Sequence, residues 1–255
     1  MTDLAHERVV ERLQRLRLRH LAERLDAILA DAARKEPTYL AFLDEILRDE
    51  IESKQRTRIA MGMQIAHFPA VKTLDEFEFA FQPSLDQRLV RELATTRFIA
   101  NAENVLLFGP PGVGKTHLAI ALGRTAVEHG HSVLFVTATT LIGALARAEA
   151  DGQLADKLAF FAKPKLLVID ELGYMPLEQR GAHLFFQLVA RRYERTSTLI
   201  TTNQLVTQWG AVFGDEVLAA AILDRLLHHS HTILIQGDSY RLKQKRRAGL
   251  LPKTK

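Results

Sequence analysis

A mostly parallel α/β sheet flanked by helices and preceded by a small all-helical domain is the architecture this 255-residue chain predicts. Three observations carry it. From residue 104 onward, short apolar runs alternate with helical patterns, the rhythm of βαβ units whose sheet is covered on both faces. A glycine-rich loop, Gly109-Pro110-Pro111-Gly112-Val113-Gly114-Lys115-Thr116, joins the first of those runs to a helix-like segment. The first hundred residues instead place apolar side chains at helical spacing.

In the front part, Val9, Leu13, Leu16, Leu21, Leu25 and Ile28 recur roughly every turn among Arg and Glu. Pro37 interrupts this pattern and fits the first turn of a following helix, whose stripe is Tyr39, Phe42, Leu43, Ile46, Leu47 and Ile51. Arg48, Lys54, Arg56 and Arg58 could touch DNA, but their acidic neighbours favour a solvated face. Phe68-Pro69 closes the helical region, giving a domain over 1–68. The stretch 71–83 alternates Phe77, Phe79 and Phe81 with Glu78, Ala80 and Gln82, and reads as an extended connector packing aromatics onto the next domain. Ser84 with Gln87 three residues later is a capping-box signal for a helix through about Thr95. Residues 69–98 are therefore assigned to connector and first helix, and 99–255 to the core with a basic tail. Within the core, strands are expected at 104–108, 132–137, 165–169, 197–201 and 232–236. Helices are expected at 116–129, 140–145, 153–161, 181–193 and 216–227.

The loop carries chemistry because of where it lies. It follows the buried-strand pattern Asn104-Val105-Leu106-Leu107-Phe108 and opens the helix beginning His117-Leu118-Ala119. There its backbone N–H groups can turn onto phosphate oxygens, aided by the helix N-terminus. Lys115 would reach the β- and γ-phosphates, and the Thr116 hydroxyl would hold Mg²⁺. His117, just after the loop, is counted among the residues near the nucleotide, although a helix-surface or core contact suits it better than acid–base work.

The second signal is Leu166-Leu167-Val168-Ile169-Asp170-Glu171, an apolar strand running into paired carboxylates about fifty residues after Lys115. Asp170 would support the Mg²⁺ held by Thr116, and Glu171 would orient and deprotonate the attacking water. Asn203, ending Leu199-Ile200-Thr201-Thr202, either bonds the lytic water or γ-phosphate, or opens a turn. Arg225 is an in-chain clamp, a salt-bridge partner of Asp224, or an arginine finger for a neighbouring subunit. Arg241, after the last strand, either reaches the nucleotide or opens the basic tail. His228, His229 and His231 lie close together, but no cysteine and no evident carboxylate completes a metal site. Trp209 is expected to anchor the loop before the Arg225 helix.

Composition bounds the rest. The net charge is +4, while residues 239–255 alone hold seven basic side chains and no acid, so the remainder carries −3. Such a tail could contact nucleic acid or serve as a solubilising terminus. The absence of cysteine excludes disulfides and thiolate metal sites, and fits a reducing compartment. The charged N-terminus lacks the apolar core of a secretory signal, and no apolar run approaches the ~18 residues of a membrane span. A cytoplasmic protein is expected.

Gly109 to Thr116, Val168-Ile169-Asp170-Glu171-Leu172-Gly173-Tyr174, Thr201-Thr202-Asn203 and Ala221-Ile222-Leu223-Asp224-Arg225-Leu226-Leu227-His228-His229 together resemble IstB-type transposition helper proteins. These are ATP-binding partners of insertion-sequence transposases, related to the helicase loader DnaC within the AAA+ ATPases. The resemblance spans essentially the whole chain, including the connector from Phe79 to Ser84. It implies Walker A at Lys115 and Thr116, Walker B at Asp170 and Glu171, and sensor 1 at Asn203. It also implies the arginine finger at Arg225 and a sensor-2-like Arg241. ATP would sit at subunit interfaces of a homo-oligomer on duplex DNA that recruits or stimulates a transposase, with the helical front part serving partner contacts and assembly. A DnaC-like helicase loader and a P-loop small-molecule kinase are the alternatives.

Overall fold

The computed structural model describes residues 2–247, with side chains from Leu4 to Lys243. Lys245, Arg246, Arg247, Lys253 and Lys255 of the basic tail lie outside the described side chains. The chain divides into two compact units, residues 1–61 and 62–255.

The first unit holds α1 (Thr2–Arg15), α2 (Arg19–Lys35) and most of α3 (Tyr39–Ile65). The stripe that reads as one helical run from Val9 to Ile28 is broken after Arg15, where Arg17 adopts a left-handed φ of 58°. No side chain caps α2 at Leu18. Instead the buried Glu50 carboxylate of α3 accepts the Leu21 N–H at 2.9 Å, satisfying one of the donors that every helix start leaves unpaired. Beyond Ile51 the apolar stripe is interrupted until Ile59, yet α3 runs unbroken to Ile65 through strong helix formers such as Glu52, Lys54, Gln55 and Arg56.

After the end of α3 and the connector, the second unit holds α4 (Gln87–Ala94) and α5 (Arg97–Ala100), followed by β1 (Asn104–Phe108), α6 (Lys115–Glu128), β2 (Val133–Thr137) and α7 (Ala138–Ala150). Next come α8 (Leu154–Ala162), β3 (Leu166–Leu172), α9 (Gln179–Arg192) and β4 (Ser197–Thr202). It ends with α10 (Trp209–Phe213), α11 (Glu216–Leu227), β5 (Ser230–Leu234) and α12 (Tyr240–Arg247). All five strands are parallel, in the order β2-β3-β4-β1-β5. Side-chain alternation divides the core into two layers. Leu106, Phe108, Leu167 and Ile169 face the layer of α7–α11. Val105, Leu107, Leu166 and Val168 face that of α4–α6.

Three local expectations are corrected. Residues 79–81 form a 3-10 turn rather than extended backbone. Asp86, not Ser84, caps α4, accepting the Arg88 N–H at 2.8 Å. The Ser84 hydroxyl is already engaged, donating to the Gln236 carbonyl at 2.7 Å and accepting the Gln236 N–H at 2.9 Å. The last strand starts two residues early and ends at Leu234, and the basic segment after it opens as a helix.

Candidate nucleotide site

The glycine-rich loop leaves the carboxyl end of β1, where ligands of parallel sheets collect. Val113 anchors it in the core at 1% exposure, while Pro110 and Pro111 lie on the surface. Both Gly112 and Gly114 have positive φ, 86° and 102°. A Cβ on Gly112 would stand 2.1 Å from the Ser239 hydroxyl oxygen, and one on Gly114 2.7 Å from the Phe77 ring. The loop is thus wedged between the start of α12 and the connector, and the Tyr240 N–H donates to the Gly112 carbonyl at 2.9 Å. Residues 112–117 line a cavity of about 390 Å³, closed on other sides by the connector around Lys72 and Phe77, by Glu171 and Tyr174, and by Arg241.

Lys115 is buried, its ammonium donating to the carbonyls of Gly109 at 2.7 Å and Pro110 at 2.9 Å. Burial lowers it from 10.5 to about 8, and Arg241 pushes the same way against Asp170 and Glu171. Thr116 donates its hydroxyl to the Asp170 carboxylate, whose oxygens lie 3.0 and 3.1 Å away. His117 Nε2 meets the Thr73 carbonyl at 2.8 Å and its ring packs edgewise on Phe77, so it belongs to the cavity wall and the connector contact together.

Asp170 is 4% exposed at the end of β3, whereas Glu171 is exposed and takes a left-handed φ of 63°. The cause is a bulge. Ile169 pairs with Ile200 and Leu172 with Thr202, so Asp170 and Glu171 together oppose the single residue Thr201. A bulge of this kind re-aims a side chain that would otherwise alternate to the other face. Glu171 thereby borders both the large cavity and a recess of about 90 Å³ beside Ile142 and Met175.

Strand β4 lies between β1 and β3, which brings Asn203 to the same edge. Its side-chain oxygen is enclosed and has no hydrogen-bond partner among the described residues. The turn that follows is made by Thr202, whose hydroxyl accepts the Gln204 N–H at 3.1 Å, so turn formation does not occupy Asn203. Arg241 reaches the cavity in its own chain. Arg225 does not. The end of α11 is fastened to the amino end of β1, where Asn104 Nδ2 donates to the Leu226 carbonyl at 3.1 Å and the Asn104 N–H to the His229 carbonyl at 2.8 Å. Five strand residues at ~3.3 Å each separate that edge from the loop by about 16 Å. An in-chain clamp is therefore excluded. Arg225 instead donates to the Ala221 carbonyl at 2.9 Å and lies over the Phe186 ring at 4.9 Å, rather than pairing with Asp224.

Two features escaped sequence reading. Thr201 touches both members of the carboxylate pair, and only the strand order could have pointed to it. Near Arg225, Glu194 supplies the carboxylate that the histidine cluster lacked in sequence, 3.6 Å from His228 and 3.8 Å from His229. Trp209 is buried as expected, donating to the Gln204 carbonyl at 3.3 Å.

The residues fit a nucleoside triphosphate with a divalent ion: a loop whose glycines leave no room for Cβ atoms, a buried ammonium, a Thr–Asp pair and an enclosed, unsatisfied Asn203 oxygen. Strand order, loop and carboxylate position together define a P-loop nucleoside-triphosphatase fold of the AAA+ kind. Solved structures agree on the fold. The DnaC helicase loader superposes with a TM-score of 0.50 at 23% identity, over 58% of this chain and 86% of that one. DnaA from Aquifex aeolicus gives 0.54 at 18% identity, over 74% and 59%. The chain belongs to the family of IstB-like ATP binding proteins, which it matches over residues 11–248. It is 48% identical to the insertion sequence IS21 ATP-binding protein of Pseudomonas aeruginosa, over 94% of this chain and 91% of that one. Identity to the IS5376 counterpart of Geobacillus stearothermophilus is 45%, over 94% and 96%. Among the described residues, no helix is long and apolar enough to cross a membrane.

Proposed function

We propose that this protein is a cytoplasmic, ATP-hydrolysing DNA-binding helper that assembles on duplex target DNA, remodels it, and recruits or stimulates the transposase of its insertion sequence. The observation that supports this reading most directly is the convergence of Thr116, Asp170, Glu171 and the unsatisfied Asn203 oxygen at one edge of the sheet. Family membership supports ATP as the nucleotide.

In this reading the loop amides and Lys115 hold the phosphates, with Gly109–His117 and Arg241 around the nucleotide. Thr116 and Asp170 hold Mg²⁺, which when bound neutralises charge on the phosphate oxygens. Glu171, turned into the cavity by the bulge, orients a water and accepts its proton, and Asn203 holds that water in line. Arg225 serves the site of a neighbouring subunit, so hydrolysis and homo-oligomer assembly are linked. Residues 1–68 serve assembly and partner contacts, and the basic tail of the 99–255 core contributes DNA-backbone contacts.

ATPase rate and oligomer size, measured together with and without duplex DNA across a salt series, test the proposal. Larger assemblies and faster hydrolysis are expected when ATP and DNA are both present, fading as salt rises. A monomer with DNA-independent turnover would sink it and favour a small-molecule kinase.

A further inference from the structure

Consecutive carboxylates on a regular strand point to opposite faces, so something must hold Asp170 and Glu171 at one edge. The bulge does this at a cost. It removes the Glu171 N–H from the ladder and places a non-glycine residue at φ 63°, a conformation that persists only where surrounding bonds enforce it. The N–H is recovered by a side chain: Thr201 Oγ1 accepts it at 2.9 Å. The same hydroxyl donates its proton to Asp170 Oδ1 at 2.5 Å. Thr201 is 1% exposed, so both of these bonds are shielded from bulk water. Asp170 therefore stands between two hydroxyls, Thr116 from the loop side and Thr201 from β4.

We propose that Thr201 is the positioning residue of this site, its one hydroxyl setting the direction of the Asp170 carboxylate and holding the bulge that turns Glu171 toward the phosphates. This rests on the hydrolytic reading of the cavity. Thr201 touches neither nucleotide nor water in this scheme; it acts through the two acids. Its neighbour Thr202 is also buried, but among the described residues its hydroxyl bonds Gln204 and neither acid, which makes it a matched control.

The test compares Thr201→Val, Thr201→Ser and Thr202→Val in the full chain, with kcat, KM and melting temperature read with DNA present. Thr201→Val should lower kcat by about 10- to 100-fold, the usual range for a group supporting metal ligands. Thr201→Ser, which keeps both bonds, should restore most of the rate, and Thr202→Val should leave kcat near the parent value. If the Ser variant is as slow as the Val variant, or if Thr202→Val is as slow as Thr201→Val, the proposal is wrong. A second readout separates this from the fate of the hydrolytic reading. Mg²⁺ should tighten ATP binding in the parent chain and much less in Thr201→Val, whether or not the parent turns ATP over. Equal Mg²⁺ dependence in the two chains would overturn the assignment by itself.

Discussion

Burial within the loop holds the Lys115 ammonium down to about 8, against an ordinary lysine value of 10.5. The unfolded chain thus binds the proton more tightly than the folded one. Stability of the nucleotide-free protein should rise with pH between about 8 and 10.5, the window set by the two values. Nucleotide binding carries the opposite sign, because the phosphates need the charged form. ATP affinity should weaken above about pH 8, by up to tenfold per unit, with proton uptake on binding. Calorimetry in two buffers of different ionisation heat reads that proton directly, and an uptake of zero at pH 8.5 would contradict the role given to Lys115. At this scale the sequence was most legible. Lys115, Thr116, Asp170 and Glu171 are adjacent in short motifs whose chemistry needs those residue types. Thr201 was not legible, since its role depends on which strand lies beside β3.

Helix α11 ends on the wrong edge of the sheet to serve its own loop. Arg225, three residues before His228, sits by the amino end of β1, and in its own chain its guanidinium is stacked on Phe186. If it completes a neighbour's site, Arg225→Ala and Glu171→Ala should each abolish hydrolysis alone. Mixing the two chains should restore part of it at hybrid interfaces. Failure of the mixture to regain activity, with assembly intact, would argue for a purely structural Arg225. The boundaries of β1 and α11 followed the apolar patterns, because burial of one face needs a fixed period, whereas α7 runs to Ala150, five residues past its expected end. Those of α1 and α2 did not: the break near Arg17 depends on a left-handed turn and on Glu50, 29 residues beyond Leu21. Ser84 likewise lost its expected cap because its hydroxyl is taken by Gln236, 152 residues away.

At the scale of the whole molecule, basic charge and the cavity meet at α12. Its first residue bonds the phosphate loop, Arg241 borders the cavity, and Lys243 pairs with Glu78 at 3.1 Å and covers the Phe81 ring at 4.1 Å. The basic residues beyond Lys243 are the ones assigned to the DNA backbone. Replacing Lys245, Arg246 and Arg247 with Gln should flatten the dependence of log affinity on log salt by up to about 0.9 per residue, measured with duplexes of unrelated sequence. An unchanged slope would remove the tail from the DNA contact.

The chain's own residues determined where the phosphate loop and the acid-ended strand lie, since both are local patterns that the backbone must express where they occur. They also determined the parallel sheet, through the spacing of apolar runs. Only the tertiary structure decided that β4 separates β1 from β3, that two acids share one edge through a bulge, and that Arg225 cannot reach its own loop. Each of these depends on contacts between residues far apart in the chain, and no local periodicity encodes which strands become neighbours.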